Sequence, residues 1–360
     1  MEDLKSNVYY IKVDESHNPD EIRQRLARLL KESKILDFIK ENNKVAVKLH
    51  FGEEGNTGFV KPQYLRVVCD HIRQNSALPF LSDANTLYRG RRDNCQDHLE
   101  LSQEHGFTRE AVGVDVIIPD DAKKENIAEV KVDGKFITTA KVVKSFLDAD
   151  VLIGVAHFKG HIMAGFGGAL KNIGMGCATR EGKLAQHSHI CPFVIMQKCT
   201  GCSACLLVCP VKAITLKDNL AFIDSGKCIG CSSCIAACKF HSIDIPWEQG
   251  GVNIQERMVE YAKAILDSHK KRAAFINFAT KITAECDCLA KDDPRISPDI
   301  GIFASTDPAA IDKAAMDLVL KVCKKDVFKE AHPKRDGMRQ LSYAASLGLG
   351  SLDYRLIEIS

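Results

Sequence analysis

The feature that most constrains this chain is a run of four cysteines that occurs twice. Cys199, Cys202, Cys205 and Cys209 follow a C-x2-C-x2-C-x3-C spacing, with Pro210 next. Cys228, Cys231, Cys234 and Cys238 repeat it. The surroundings repeat as well: QKCTGCSAC matches GKCIGCSSC, and CPVKAIT matches CKFHSID. This is an internal duplication. The N-terminus, MEDLKSNVYYIKVD, lacks the basic and apolar regions of an export signal, so a soluble cytoplasmic protein is expected. There thiols stay reduced, and the fifteen cysteines point to metal or redox use in place of disulfides.

The spacing has a chemical reason. A [4Fe–4S] cube has four irons, each taking one thiolate, and three cysteines two residues apart can wrap one cube. The small residues between them (Gly201, Ser203, Ala204, Gly230, Ser232, Ser233) leave room for it. In this arrangement the fourth cysteine serves the other cube. One cluster is thus expected on Cys199, Cys202, Cys205 and Cys238, and a second on Cys228, Cys231, Cys234 and Cys209. A zinc ribbon would need two separated C-x2-C pairs, not two runs of four. The block from Cys191 to Trp247 resembles the two-cluster bacterial ferredoxins, with Lys239 standing where the first run has Pro210.

The flanks read as alternating strands and helices. KVAVKLH (44–50), PFLSDAN (79–85), VDVIIPD (114–120), VLIGVAHF (151–158), AAFINFAT (273–280) and IGIFAS (300–305) are strand-like. Residues 60–75 place Leu65, Val68, Cys69 and Ile72 on one helical face, and a polar helix is expected near 93–105. AEVKVDGKFIT reads as a hairpin about Asp-Gly, Lys141 to Leu147 as a helix, and 253–268 as an amphipathic helix. Asp307 and Pro308 open a helix that runs to about Val322. The expected fold is α/β: a mostly parallel sheet with helices on both faces, interrupted by a small ferredoxin-like α+β module. Residues 1–190 and 248–360 would form one discontinuous domain, with 191–247 inserted.

In open α/β sheets ligands bind beyond the carboxyl ends of the strands. Polar groups gather there: His50 and the loop FGEEGNTG, Asp83 and Asn85, the HFKGH segment, Cys286-Asp287-Cys288, and Thr306 with Asp307. His157, Lys159 and His161 are candidate acid/base or ligand groups. Cys286 and Cys288, two apart in an extended segment, would face one point and suit a third metal, zinc or iron. Cys177, His187, His189 and Cys191 are further candidates; Cys69 and Cys323 read as core, and Cys95 is undecided. The glycines of 52–58 serve a turn or a ligand. Asp307 is more simply a helix N-cap, and GFGGALKN (165–172) more simply a close-packing element than a phosphate cradle.

HFKGH, GALKNIGMG, the Cys-Asp-Cys segment and DIGIFASTDPAAID together resemble the uncharacterised iron–sulfur-centre proteins, a family defined by a domain of unknown function. The resemblance implies a related fold and an iron–sulfur association. The function expected is a cytoplasmic oxidoreductase whose clusters carry electrons from a redox partner protein to a small-molecule substrate at the strand ends. The alternative is an electron carrier or metal-handling protein whose α/β domain docks a partner. A net charge of +2 and short apolar runs give no reason to expect nucleic acid or membrane as partner.

Overall fold

Val151–His157, Ala273–Ala279 and Gly301–Ser305 are buried at every position, as strands covered on both faces must be. They form the middle of an eight-stranded sheet in the computed structural model, which describes residues 5–360 except 88–89, 122, 188–190, 210, 229–232, 241, 245–252 and 271. Numbered within this sheet, the strands are β1 (Ser6–Lys12), β2 (Lys44–Lys48), β3 (Leu78–Ser82), β4 (Val116–Ile117), β5 (Val151–His157), β6 (Ala273–Ala279), β7 (Gly301–Ser305) and β8 (Tyr354–Glu358). Their spatial order is β8-β1-β7-β6-β5-β2-β3-β4. Every neighbouring pair is parallel except the two made by β7, which runs against β1 and β6. The fold is the mostly parallel α/β sheet that the strand–helix alternation implies.

Alternate strand residues face opposite sides. Val45, Val47 and Ile153 join one core with Leu26 and Leu30 of α1 (Pro19–Ser33) and Leu65 and Ile72 of α2 (Pro62–Arg73). Ala46, Leu152 and Phe275 face the other core. There they meet Ile173 of α3 (Ala169–Gly174), Val259 of α4 (Ile254–Ser268), Ile311 of α5 (Pro308–Cys323) and Leu341 of α6 (Met338–Ser346). Each fully buried Leu, Ile or Val contributes about 1.5–3 kcal/mol of burial energy, which makes these two layers the main source of stability. Cys69 lies in the first core and Cys323 packs at the edge of the second.

Several sequence expectations are corrected. Because β7 is reversed, its carboxyl end points away from the other strand ends. Asp307 therefore sits at the far edge, where it accepts from Ser6 Oγ at 2.6 Å and Ser351 N–H at 2.8 Å, and caps α5 through the N–H groups of Ala309 and Ala310. Helix α4, expected to be amphipathic, is buried almost all round. Its Glu260 accepts the N–H groups of Lys135, Phe136 and Ile137 and the hydroxyl of Tyr343, so the carboxylate fastens the tip of the hairpin Ile127–Lys131/Thr139–Val143. Residues 139–143 are strand, and only Lys144–Leu147 is a helical turn. The strand expected over 114–120 shortens to Val116–Ile117.

Between the two parts of the main sheet, Phe193–Val194 pairs with Ile243–Asp244 and Ile214–Lys217 with Leu220–Ile223, all antiparallel. This segment has an apolar cluster of its own, built from Cys205, Ile214, Ala221, Cys234, Cys238 and Ile243. Among the described residues no helix is long and apolar enough to cross a membrane.

Candidate functional site

A cavity of about 360 Å³ opens at the carboxyl edge of β2, β3 and β5, lined by His50, Asp83, His157, Lys159, His161 and Cys288 among others. Every strand of the sheet except β7 ends at this edge. The connection from β6 to β7 also stays here, because an antiparallel return needs no crossover. That connection carries Cys286, Asp287 and Cys288.

Asp287 is the hub. Its carboxylate lies 2.8 Å from His157 Nδ1 and 3.3 Å from Lys159 Nζ, and all three side chains are buried. Burial alone would raise the Asp287 pKa, but the His157 and Lys159 charges outweigh it and hold the carboxyl well below the usual range. The second nitrogen of His157 faces the Thr280 carbonyl at 2.9 Å. Both ring nitrogens thus meet oxygen partners, which locks the ring in place. Lys159 Nζ also donates to the His157 carbonyl at 2.8 Å. The FGEEGNTG loop packs on this hub: Glu53 N–H donates to the Asp287 carbonyl at 2.9 Å, and a Cβ on Gly58 would lie 2.7 Å from Asp287 Oδ1. These glycines serve a tight turn and a close approach.

His161 behaves differently. Its Nδ1 accepts the N–H groups of Met163 and Ala164 at 3.2 and 3.1 Å. Burial, with Lys171 and Lys159 nearby, keeps the ring neutral. The proton then sits on Nε2, which is left as a donor. Cys286 and Cys288 face one point, as their spacing implies, and His161 joins them: one ligand atom from each lies within 4.8 Å of the others. The two sulfurs are joined in a disulfide, which corrects, for this pair, the expectation of metal or redox use in place of disulfides. In that state neither sulfur is a thiolate, and a metal would require reduction first.

The rest of the cavity wall is cationic. Lys48 projects from β2 and pairs with Asp83 at 2.9 Å. Arg92 reaches Asp83 at 3.6 Å and Glu53 at 3.2 Å. Lys183 Nζ rests on the carbonyls of Asn85 and Ala178 at 2.7 and 2.9 Å, and burial pulls its pKa down to about 8. Lys171 Nζ makes no hydrogen bond or ion pair among the described residues, and burial, with Lys159 close by, lowers it to about 7. Glycines make room for two of these lysines: a Cβ on Gly176 would lie 2.4 Å from Lys48 Nζ, and one on Gly167 would lie 2.9 Å from Lys171 Cδ. Burial holds His187, also in the wall, at about 4.

GFGGALKN does not cradle a ligand phosphate through its helix. The N–H groups of Ala169 and Leu170 are taken by the Asp312 carboxylate at 2.6 and 3.0 Å, and a Cβ on Gly168 would lie 2.2 Å from Asp312 Oδ1. The glycines are there for close packing.

A family model described as a domain of unknown function (DUF362) matches residues 45–317. The chain belongs to this family. The DUF362 match runs from β2 into α5, so it covers every strand end that lines the cavity. No curated protein matches the chain. Among solved structures, the lactate racemase apoprotein from Thermoanaerobacterium thermosaccharolyticum is similar at 14% identity and a TM-score of 0.44, over 89% of this chain and 56% of that one. A structural-genomics target from Thermotoga maritima is similar at 12% identity and a TM-score of 0.43, over 88% of this chain and 60% of that one. The DUF362 chain thus spans little more than half the length of these two proteins.

In the 191–247 segment, Cys199, Cys202, Cys205 and Cys238 line one small cavity. Backbone N–H groups point at the sulfurs: Ala221 at Cys199 (3.4 Å), Ala213 at Cys209 (3.2 Å) and Ser242 at Cys238 (3.3 Å). Four cysteines around one cavity, with amide donors on Cys199 and Cys238, are compatible with the thiolate set that a [4Fe–4S] cube takes. Of the second expected set, Cys209, Cys228 and Cys234 are described; Cys231 lies outside the described residues, as do His189, Pro210, Gly230 and Ser232. Cys191 stands beside Cys228, and burial together with that neighbour pushes its thiol up to about 11. Cys177 is buried, and burial raises it to about 12. Cys95 begins the helix Cys95–Glu104, outside the cavity wall.

Sequence reasoning found His50, Asp83, HFKGH and the Cys-Asp-Cys segment, but it missed Lys48, Arg92 and Lys183 as wall residues and met Lys171 only as part of GFGGALKN. One signal was available for Lys48. A lysine inside KVAVKL, in a strand that a parallel sheet covers on both faces, needs a buried carboxylate to sit beside.

Proposed function

We propose that this DUF362 protein is an iron–sulfur redox protein. Its segment 191–247 holds two [4Fe–4S] clusters, and the strand-end cavity binds a small molecule that exchanges electrons with them. The observation that carries the reading is the convergence of Cys238 with Cys199, Cys202 and Cys205 on one cavity. Those four cysteines would hold one cluster, and Cys228, Cys231, Cys234 and Cys209 the other. Bound there, the clusters would supply one-electron transfer with a partner protein in the cytoplasm. In the cavity, His157 and Lys159 position Asp287, and His161 offers an Nε2–H to a bound molecule.

Anaerobic iron and sulfide analysis tests this, with roughly eight of each per chain expected. Zinc alone, or a single cluster, would overturn it. Cys209→Ser should damage the cluster served by Cys228, Cys231 and Cys234 and spare the first.

A second reading concerns metal. With the disulfide reduced and the His161 Nε2 proton released, Cys286, Cys288 and His161 would hold zinc or iron with one open position. The observation favouring it is their mutual approach within 4.8 Å. A protein that only carries electrons or handles metal would keep these features and turn over no small molecule, so turnover with a reduced low-potential donor separates the two classes.

A further inference from the structure

We infer that the strand-end cavity is an anion site for a small organic molecule carrying two negative charges, with Lys171 and Lys183 as its charge partners. The inference goes beyond the iron–sulfur reading and stands without it.

The reasoning is electrostatic. Three carboxylates stand close to the five cationic side chains of the wall. Asp83 is shared by Lys48 and Arg92, Glu53 takes Arg92, and Asp287 takes Lys159 and His157. Lys183 has its three N–H donors on the carbonyls of Ala84, Asn85 and Ala178, so it acts as a charge and not as a free donor, while Lys171 Nζ makes no hydrogen bond or ion pair among the described residues. Two buried lysine amino groups therefore line a partly enclosed cavity with no carboxylate in ion-pair contact, and a bound anion would hold both in the protonated form. Charges so placed interact far more strongly than in water, and an anion spanning both would neutralise them. His161 Nε2–H adds a neutral donor in the same wall.

Size and lining narrow the ligand class. A volume near 360 Å³ is at the small end of ligand pockets. Leu87, Met163, Met175 and Leu289 line part of it, which favours a carbon skeleton between the charged ends over a bare inorganic ion. Dicarboxylates and phosphate monoesters share this chemistry. The placement of Lys171 also looks prepared: its stem lies across Gly167, where a Cβ would come within 2.9 Å of Cδ.

The test is calorimetric titration of the full chain, stripped of loose metal over a chelating resin, with no electron donor present. Succinate, glycerol phosphate and inorganic phosphate are the probes, and succinamide is the uncharged control. At least one organic dianion should bind more tightly than inorganic phosphate, succinamide should not bind, and added salt should weaken binding. Succinate against glycerol phosphate distinguishes the two sources. Lys171→Met should weaken binding about tenfold or more, a change of ~1.4 kcal/mol. It breaks no hydrogen bond or ion pair and keeps an apolar stem against Gly167, so circular dichroism should show it folded. Gly167→Ala, which displaces the Lys171 stem, should weaken binding in the same direction. Absence of binding by every dianion, or equal affinity in wild type and Lys171→Met, would overturn the inference. Neither result bears on cluster content, which iron analysis reads separately.

Discussion

His157 and Asp287 lie 130 residues apart in the chain and 2.8 Å apart in the fold. Asp287 stands between Cys286 and Cys288, so this buried contact also decides where the two sulfurs are held.

Breaking it should be costly. Asp287→Asn leaves His157 and Lys159 without their counter-charge in a buried site, and removing one partner of such a set costs about 3–5 kcal/mol. A urea melt should show a lower midpoint at unchanged slope. The double change Cys286→Ser with Cys288→Ser, which leaves the ion pairs intact, should cost less.

The two buried lysines should make stability rise with pH. Lys171 and Lys183 lose their protons near 7 and 8 in the folded state, because burial disfavours the charged form. In the unfolded chain they keep them to about 10.4. Between these limits the unfolded state binds more protons, so these groups contribute increasing stability as pH rises from about 7 towards 10. Urea melts at pH 7 and 9 should show a smaller gain for Lys171→Met than for wild type.

Gly168 and Asp312 should be coupled. Asp312→Ala strands the N–H groups of Ala169 and Leu170 and the amide of Asn277, a loss of about 2–4 kcal/mol. Gly168→Ala alone should be comparably harmful, since its Cβ would meet Asp312 Oδ1 at 2.2 Å. In the double variant the two closest atoms, Asp312 Oδ1 and Cγ, are gone and only Phe158 Cδ2 at 3.0 Å must give, so its cost should fall short of the sum in a double-mutant cycle.

Reduction should open the thiol pair to metal. Zinc added to anaerobically reduced protein should give about one more zinc per chain than it gives the oxidised form. Elemental analysis, with iron counted separately, checks this, and Cys286→Ser with Cys288→Ser should abolish the difference.

Much of this was legible in the sequence, for identifiable reasons. A continuous apolar run such as VLIGVAH announces a strand covered on both faces, and the polar residues after it must then lie at a sheet edge. Direction was not legible. GIFAS reads the same whether it runs with its neighbours or against them, and only pairing with β1, a strand from the far end of the chain, reveals that it runs against them. That reversal alone removed Asp307 from the expected site. The lysines were obscured for a different reason. Lys183 looks like a solvent-facing helix position until the fold buries it against the carbonyls of Asn85 and Ala178. The FGEEGNTG glycines could be explained only once Asp287 was placed beside Gly58.

The reversed strand has an evolutionary consequence. Most chain returns in an α/β protein must carry a helix to the far edge, so their length and composition answer to the core. The stretch between Ala279 and Gly301 leaves and rejoins the sheet on one side. Its length is therefore not set by a crossover helix, and a change in it need not rebuild the sheet. What ties the stretch to the scaffold is Asp287, through its buried contacts with His157 and Lys159 of HFKGH, so the residues away from that anchor are the ones free to vary.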